Sequence, residues 1–164
     1  MAVTNLDITV RQARSSDLDR VVAFNRAMAF ETEKKTLDDD VLTAGVRQAL
    51  ADPARSLYFV AEIDGEVVGQ TMFTTEWSDW RNGFYWWIQS VYVEPAHRRR
   101  GVFRALYEHV RMLARQRPDV CGIRLYVHGH NGRAIETYQQ LGMTVSAYRL
   151  CEEDWSDARD NRRP

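Results

Sequence analysis

The chain is poor in cysteine, proline and lysine, has no long apolar run, and carries no large excess of either charge. Cys121 and Cys151 are too few for a disulfide framework, and neither stands in a metal-ligand spacing, so no metal site and no redox chemistry is expected. The longest wholly apolar stretch, Phe84-Tyr85-Trp86-Trp87-Ile88, falls far short of the ~20 residues that cross a bilayer. The first residues show no basic-then-apolar leader, so the expectation is a cytoplasmic protein without a membrane partner. A formal net charge of −1 argues against a general polyanion binder, because such binding needs many excess Lys and Arg to neutralise phosphates. No nucleic-acid partner is therefore expected. With no fixed-period repeat, no low-complexity tract and no Pro/Gly/Ser linker, residues 1–151 read as one domain and 152–164 as a polar tail.

What is present reads as alternating strands and helices. Residues 6–13 alternate as a first strand, and Ser16 with Asp19 resembles a capping box ahead of a helix carrying Leu18, Val21, Val22 and Met28. Asp38 to Asp40 open a second helix, with Val41, Leu42, Val46 and Leu50 on one side, until Asp52-Pro53 stops it. Leu57–Ile63 and Val67–Thr75 read as strands joined at Asp64-Gly65, a dipeptide suited to a tight hairpin. After a polar and aromatic loop, 76–83, the run Phe84–Val93 reads as a strand buried on both faces. A helix near Gly101 carries Phe103, Leu106, Val110 and Leu113, and Pro118 ends it. A strand at Ile123–His128, a helix capped by Asn131 and closed by Gly142, and a last strand at Met143–Leu150 complete the chain. The order β-α-α-β-β-β-α-β-α-β describes an α/β fold with a mixed, mostly antiparallel central sheet flanked by helices.

Only two of the 22 basic residues are lysines, and Arg98, Arg99, Arg100 and Arg104 fall within seven positions where a buried strand gives way to a helix. N–H groups in the first turn of a helix lack helical partners and the helix dipole adds about half a positive charge, so this junction is an anion cradle. Gly101 admits a ligand close to the main chain. The stretch lacks both the Gly-Lys-Ser/Thr of a triphosphate loop and the three-glycine dinucleotide fingerprint, which favours a diphosphate other than that of ATP or NAD.

Here the sequence resembles the GCN5-related N-acetyltransferase (GNAT) family over residues 6–150. Arg98 and Gly101 match the first and fourth positions of the Arg/Gln-x-x-Gly-x-Gly/Ala pattern that grips the pyrophosphate of acetyl-CoA; Phe103 departs from it, standing where Gly or Ala is usual. The resemblance implies main-chain contacts from Val91 and Val93 to the pantetheine arm, and from Arg99, Gly101, Val102, Phe103 and Arg104 to the diphosphate. Asn131-Gly132-Arg133-Ala134, then Tyr138 and Leu141-Gly142-Met143, resemble the family's last motif. By that resemblance Asn131 and Arg133 contact the cofactor arm, and Tyr138 protonates the departing thiolate.

The general base is open. Gln89 and Ser90 stand where relatives often carry a carboxylate, and an amide accepts no proton at neutral pH. His128, with a reference pKa near 6.5, is the first candidate; Glu31, Glu33 and Glu76 are others. Trp77 and Trp80 beside Glu76, together with the helix end Asn25, Glu31, Thr32 and Glu33, suggest an acceptor pocket with two acidic borders. The reading is an acetyl-CoA-dependent N-acetyltransferase acting on a primary amine of a small molecule. A protein or peptide acetyltransferase acting on Lys or an N-terminus, and a non-catalytic acyl-CoA-binding regulatory module, are the alternatives. Homodimers are common in the family, which leaves that assembly open here.

Overall fold

The computed structural model describes residues 7–155, which fall in two compact units dividing after Tyr126. The first unit carries β1 (Thr9–Gln12), α1 (Leu18–Glu33), α2 (Asp39–Ala51), β2 (Leu57–Ile63), β3 (Glu66–Ser78), β4 (Gly83–Val93), α3 (Val102–Arg115) and β5 (Val120–Leu125). The second carries α4 (Gly132–Gln140).

The five strands lie in sequence order, β1-β2-β3-β4-β5. The first three pairings are antiparallel and the last is parallel, with α3 as the crossover a parallel pair requires. Asp64 (φ 53°) and Gly65 (φ 81°) supply the positive dihedrals of the expected hairpin turn. The next hairpin is longer than the sequence suggested. Glu76 pairs with Tyr85 and Trp77 with Phe84, so these residues extend β3 instead of lying in a loop; aromatic cross-strand partners carry the ladder outward.

One face of the sheet stacks Phe59, Phe73 and Trp86, with centroids 6.0 and 4.2 Å apart, and His109 of α3 closes on Phe59 at 5.0 Å. Leu106 and Val110 of α3 are fully buried, and burial pushes the His109 imidazole below its usual pKa. Beneath α1 and α2, Val21, Val22, Val46, Tyr58 and Val60 form a second apolar cluster. A buried polar chain crosses this side: Gln70 donates to Asn25 Oδ1 at 2.7 Å, and Asn25 donates to the Tyr58 hydroxyl at 3.0 Å. Tyr58 is also hydrogen-bonded to Ser90, and burial raises its pKa. Asn25 is thus a core residue joining α1 to the sheet, not part of an acceptor wall.

Three local expectations are corrected. The helix entry is organised by Asp17, not Ser16 and Asp19. A short 3-10 turn precedes α1, and the Asp17 carboxylate takes the Arg14 amide at 2.6 Å because it, not Asp19, lies three residues past the capping position. β5 starts at Val120 and stops at Leu125, so His128 lies beyond its end. The expected last strand, Met143–Leu150, is irregular. Val145, Tyr148 and Leu150 are exposed, so the alternating apolar residues that suggested a strand bury no face there. Glu152–Trp155 of the expected tail is also irregular and exposed; the rest of the tail, and Leu6 of the expected first strand, lie outside the described residues.

Candidate active site

The site begins with an interruption in β4. Phe73 pairs with Ile88 and Met72 with Ser90, so Gln89 is an extra residue and the strand bulges there. Gln89 points to solvent and donates through Nε2 to Thr74 Oγ1 at 3.0 Å. Pairing with β5 stops at Ile88–Leu125, and among the described residues no strand pairs with that edge of β4 from Gln89 to Val93. The backbone direction follows from one bond: the Glu94 amide donates to Val68 O of β3 at 2.9 Å. Alternation along the strand turns the main-chain groups of Val93 and Val91 the other way, toward the open edge. In agreement, Val93 O accepts from Arg98 Nε at 2.8 Å.

The open edge runs into the helix start. A 3-10 turn at Pro95–His97 leads to Arg99, left-handed at φ 64°, and to Gly101 at φ 87°, which is the N-cap of α3. No side-chain hydrogen bond caps this helix at Gly101, and a helix start is where main-chain N–H groups gather for an anion. A Cβ built on Gly101 would meet only Ile8 Cδ1, at 3.9 Å. The surroundings are open; the backbone conformation is what favours glycine. A strand edge delivering into an uncapped, arginine-flanked helix start fits an extended amide-bearing arm joined to a diphosphate. Arg104 ion-pairs weakly with Glu108 at 3.9 Å, and Arg100 meets His97 Nδ1 at 3.3 Å.

At each acidic border one carboxylate is paired with an arginine. Glu31, near the end of α1, takes Arg98 Nη2 on Oε2 at 2.6 Å and the Tyr92 hydroxyl on Oε1 at 3.0 Å. Burial, and then the neighbouring Glu31 carboxylate, push the Tyr92 hydroxyl above its ordinary pKa. Glu33 is exposed at the last residue of α1. Glu76 accepts from Arg124 Nη1 at 3.1 Å and from the Trp87 indole N–H. The Arg124 guanidinium lies 3.5 Å over the Tyr85 ring, and Trp87 packs at a tilt against Tyr126 with centroids 4.4 Å apart. Trp77 is exposed. Sequence reasoning missed Arg124 and Tyr92, because the carboxylates that engage them, Glu76 and Glu31, lie 48 and 61 residues away along the chain.

The remaining predicted residues belong to the second unit. Asn131 caps α4, its Oδ1 accepting from the Ala134 amide at 3.1 Å. Arg133 is exposed in the first turn, its carbonyl taken by the Thr137 hydroxyl at 2.9 Å. Tyr138 is half-buried, and burial raises its pKa. His128 is exposed; its Nδ1 accepts weakly from the His130 amide at 3.4 Å.

Comparison with known proteins gives this arrangement its class. Residues 19–143 match the acetyltransferase (GNAT) family, and the chain belongs to that family. It is an acyltransferase. It is 32% identical over 152 residues to an L-methionine sulfoximine/L-methionine sulfone acetyltransferase of Salmonella typhimurium, covering 85% of this chain and 82% of the relative. The fold matches the crystal structure of a possible acetyltransferase from Clostridium difficile 630, at 44% identity and a TM-score of 0.84, covering 90% of this chain and 97% of that one. An aminoglycoside acetyltransferase from a soil metagenome shares the fold alone, at 13% identity and a TM-score of 0.73, over 90% of this chain and 95% of that one. Among the described residues no helix is long and apolar enough to cross a membrane.

Proposed function

We propose that the protein transfers the acetyl group of acetyl-CoA to the primary amine of a small, amino-acid-like molecule. The observation that carries this reading is the open edge of β4, with the Val91 and Val93 main chain facing outward, running directly to the uncapped start of α3. A pantetheine arm adds to that edge as a short strand would, and the diphosphate takes the amides from Arg99 to Arg104 around Gly101. Asn131 and Arg133 are the further cofactor contacts by family resemblance.

The reaction needs no covalent enzyme intermediate. The amine attacks the thioester carbonyl carbon within a ternary complex, main-chain N–H groups of β4 stabilise the developing oxyanion, and the carbon–sulfur bond breaks. Tyr138 gives its proton to the thiolate. Its raised pKa keeps the hydroxyl protonated, as a general acid must be. The proton shed by the amine leaves through a base for which His128 is the candidate. In that role its Nδ1 gives up the weak bond from the His130 amide.

Charge narrows the acceptor. Two free carboxylates would suit a polycation, but Glu31 is paired with Arg98 and Glu76 with Arg124. Arginines that offset two of the three candidate carboxylates suit a zwitterion bearing one amine and one acid. The similarity to an acetyltransferase of methionine derivatives supports the same class.

Thiol release from acetyl-CoA, measured against amino acids, their sulfone and sulfoximine derivatives, polyamines, aminoglycosides and Lys peptides, tests the reading. Turnover on an amino-acid-like amine is the expected result. Turnover confined to peptides would replace it with the protein-acetyltransferase reading, and tight cofactor binding with no turnover across the panel would favour the regulatory module. Gly101→Glu is expected to abolish acetyl-CoA binding in calorimetry, because it sets bulk and like charge against the diphosphate.

A further inference from the structure

α1 holds the strand-to-helix loop at both ends. At the entry, Arg20 Nη2 donates to Glu94 Oε1 at 2.7 Å and to the Val67 carbonyl at 2.9 Å, while its Nε reaches the same carbonyl at 3.0 Å. The residue that follows β4 is thereby tied to the helix. At the exit, Glu31 receives Arg98 on one oxygen and Tyr92 on the other. Arg98 in turn fixes itself to the Val93 carbonyl and lies 5.5 Å over the Tyr92 ring. Between the two clamps Phe24 packs on Tyr92, with centroids 5.1 Å apart, and Arg20 covers the far side of the series at 4.7 Å from the Phe24 ring centroid.

The left-handed Arg99 and Gly101 follow directly on the segment so held. A non-glycine residue leaves that region readily unless its surroundings impose it. The amides of the loop can converge on one anion only while the backbone keeps this shape, and Arg98, the residue before Arg99, ties it to both β4 and α1. Glu31, with both oxygens already engaged by Tyr92 and Arg98, has little left to offer an ammonium group. The pair is part-exposed, so its contribution lies in orientation more than in Coulomb energy.

We propose that Glu31 is a positioning residue for the diphosphate cradle, acting through Arg98, and not a residue that binds the amine. The geometry of the clamp is independent of the ligand; only the consequence for affinity rests on the acetyl-CoA reading.

The test compares Glu31→Ala, Arg98→Ala and the double variant in the full chain, with two readouts. The first is amide hydrogen exchange in the ligand-free protein at His97, Arg98 and Ala105, the hydrogen-bonded amides that bracket the loop, expected to rise about fivefold or more in each single variant. The second is acetyl-CoA affinity by calorimetry, expected to fall about fivefold in each single variant and no further in the double, because the two residues act as one unit. Glu31→Gln, which keeps an acceptor oxygen but loses the charge, is expected to lie between wild type and Glu31→Ala, and it carries the test if the alanine variant does not fold. Unchanged exchange in Glu31→Ala, or affinity losses that add in the double variant, would overturn the proposal. A wild-type protein that binds no acetyl-CoA would overturn the cofactor reading instead, and the exchange measurement would still decide the clamp.

Discussion

Gly122 lies directly against the ring of Tyr85: a Cβ placed on it would stand 2.8 Å from Tyr85 Cε1. The absence of a side chain at this one position of β5 is what makes room for that ring. The ring then holds the Arg124 guanidinium at 3.5 Å on its way to Glu76 and lies 5.4 Å from Arg81. Gly122→Ala is expected to displace the ring and to destabilise the fold by about 1 kcal/mol or more in urea unfolding. In a Tyr85→Ala background the same substitution has nothing to displace and is expected to be neutral or mildly stabilising. An equal loss in both backgrounds would rule out the contact as the cause.

Tyr138→Phe removes one proton donor and leaves the ring in place. Turnover is expected to fall at least about tenfold, with acetyl-CoA affinity within about twofold of wild type. The loss belongs to kcat rather than KM, since the thiolate exists only as the bond breaks. Wild-type turnover in this variant would remove Tyr138 as the acid.

Asp17 gives the fold a defined response to acid. Arg11 donates to both of its oxygens, at 2.8 and 3.0 Å, and the Arg14 amide adds a third bond. Arg11 foremost holds the carboxyl below its ordinary value of 3.8, against the opposing effect of burial. The folded state therefore prefers the ionised form. The stabilisation is complete above the unfolded pKa and is lost as pH falls through the lower, folded value. Asp17→Asn is expected to cost about 1–3 kcal/mol at neutral pH, with the gap to wild type closing below about pH 4. Urea unfolding at a series of pH values measures it, and a gap that stays constant to pH 3 contradicts the assignment.

Features written in neighbouring residues are legible in the sequence alone. Asp64-Gly65 encodes its hairpin, Asn131 caps α4, and the Arg98–Gly101 junction ends a strand and starts a helix, because each depends on the chain within a few positions. The charge state of the site is not legible in this way. Glu31 and Arg98 lie 67 residues apart, and Glu76 and Arg124 48 apart, so each carboxylate read alone looks like a free anion until the fold brings its arginine beside it. The bulge at Gln89 is equally hidden, since an extra residue is defined only against the partner strand. The last strand fails for the opposite reason: alternation at 143–150 is local, but a strand needs a neighbour to pair with.

A ligand-sized gap in the hydrogen bonding of a central strand is also an invitation to other chains. The open stretch of β4, Gln89 to Val93, offers the same unpaired main-chain groups that seed strand addition between proteins. Three features limit that hazard. The stretch is short, the bulge at Gln89 puts its start out of register for a passing strand, and the guanidinium of Arg98 already occupies the Val93 carbonyl. With Arg98 on the Val93 carbonyl, the strand edge has one acceptor fewer to offer a second copy of the chain.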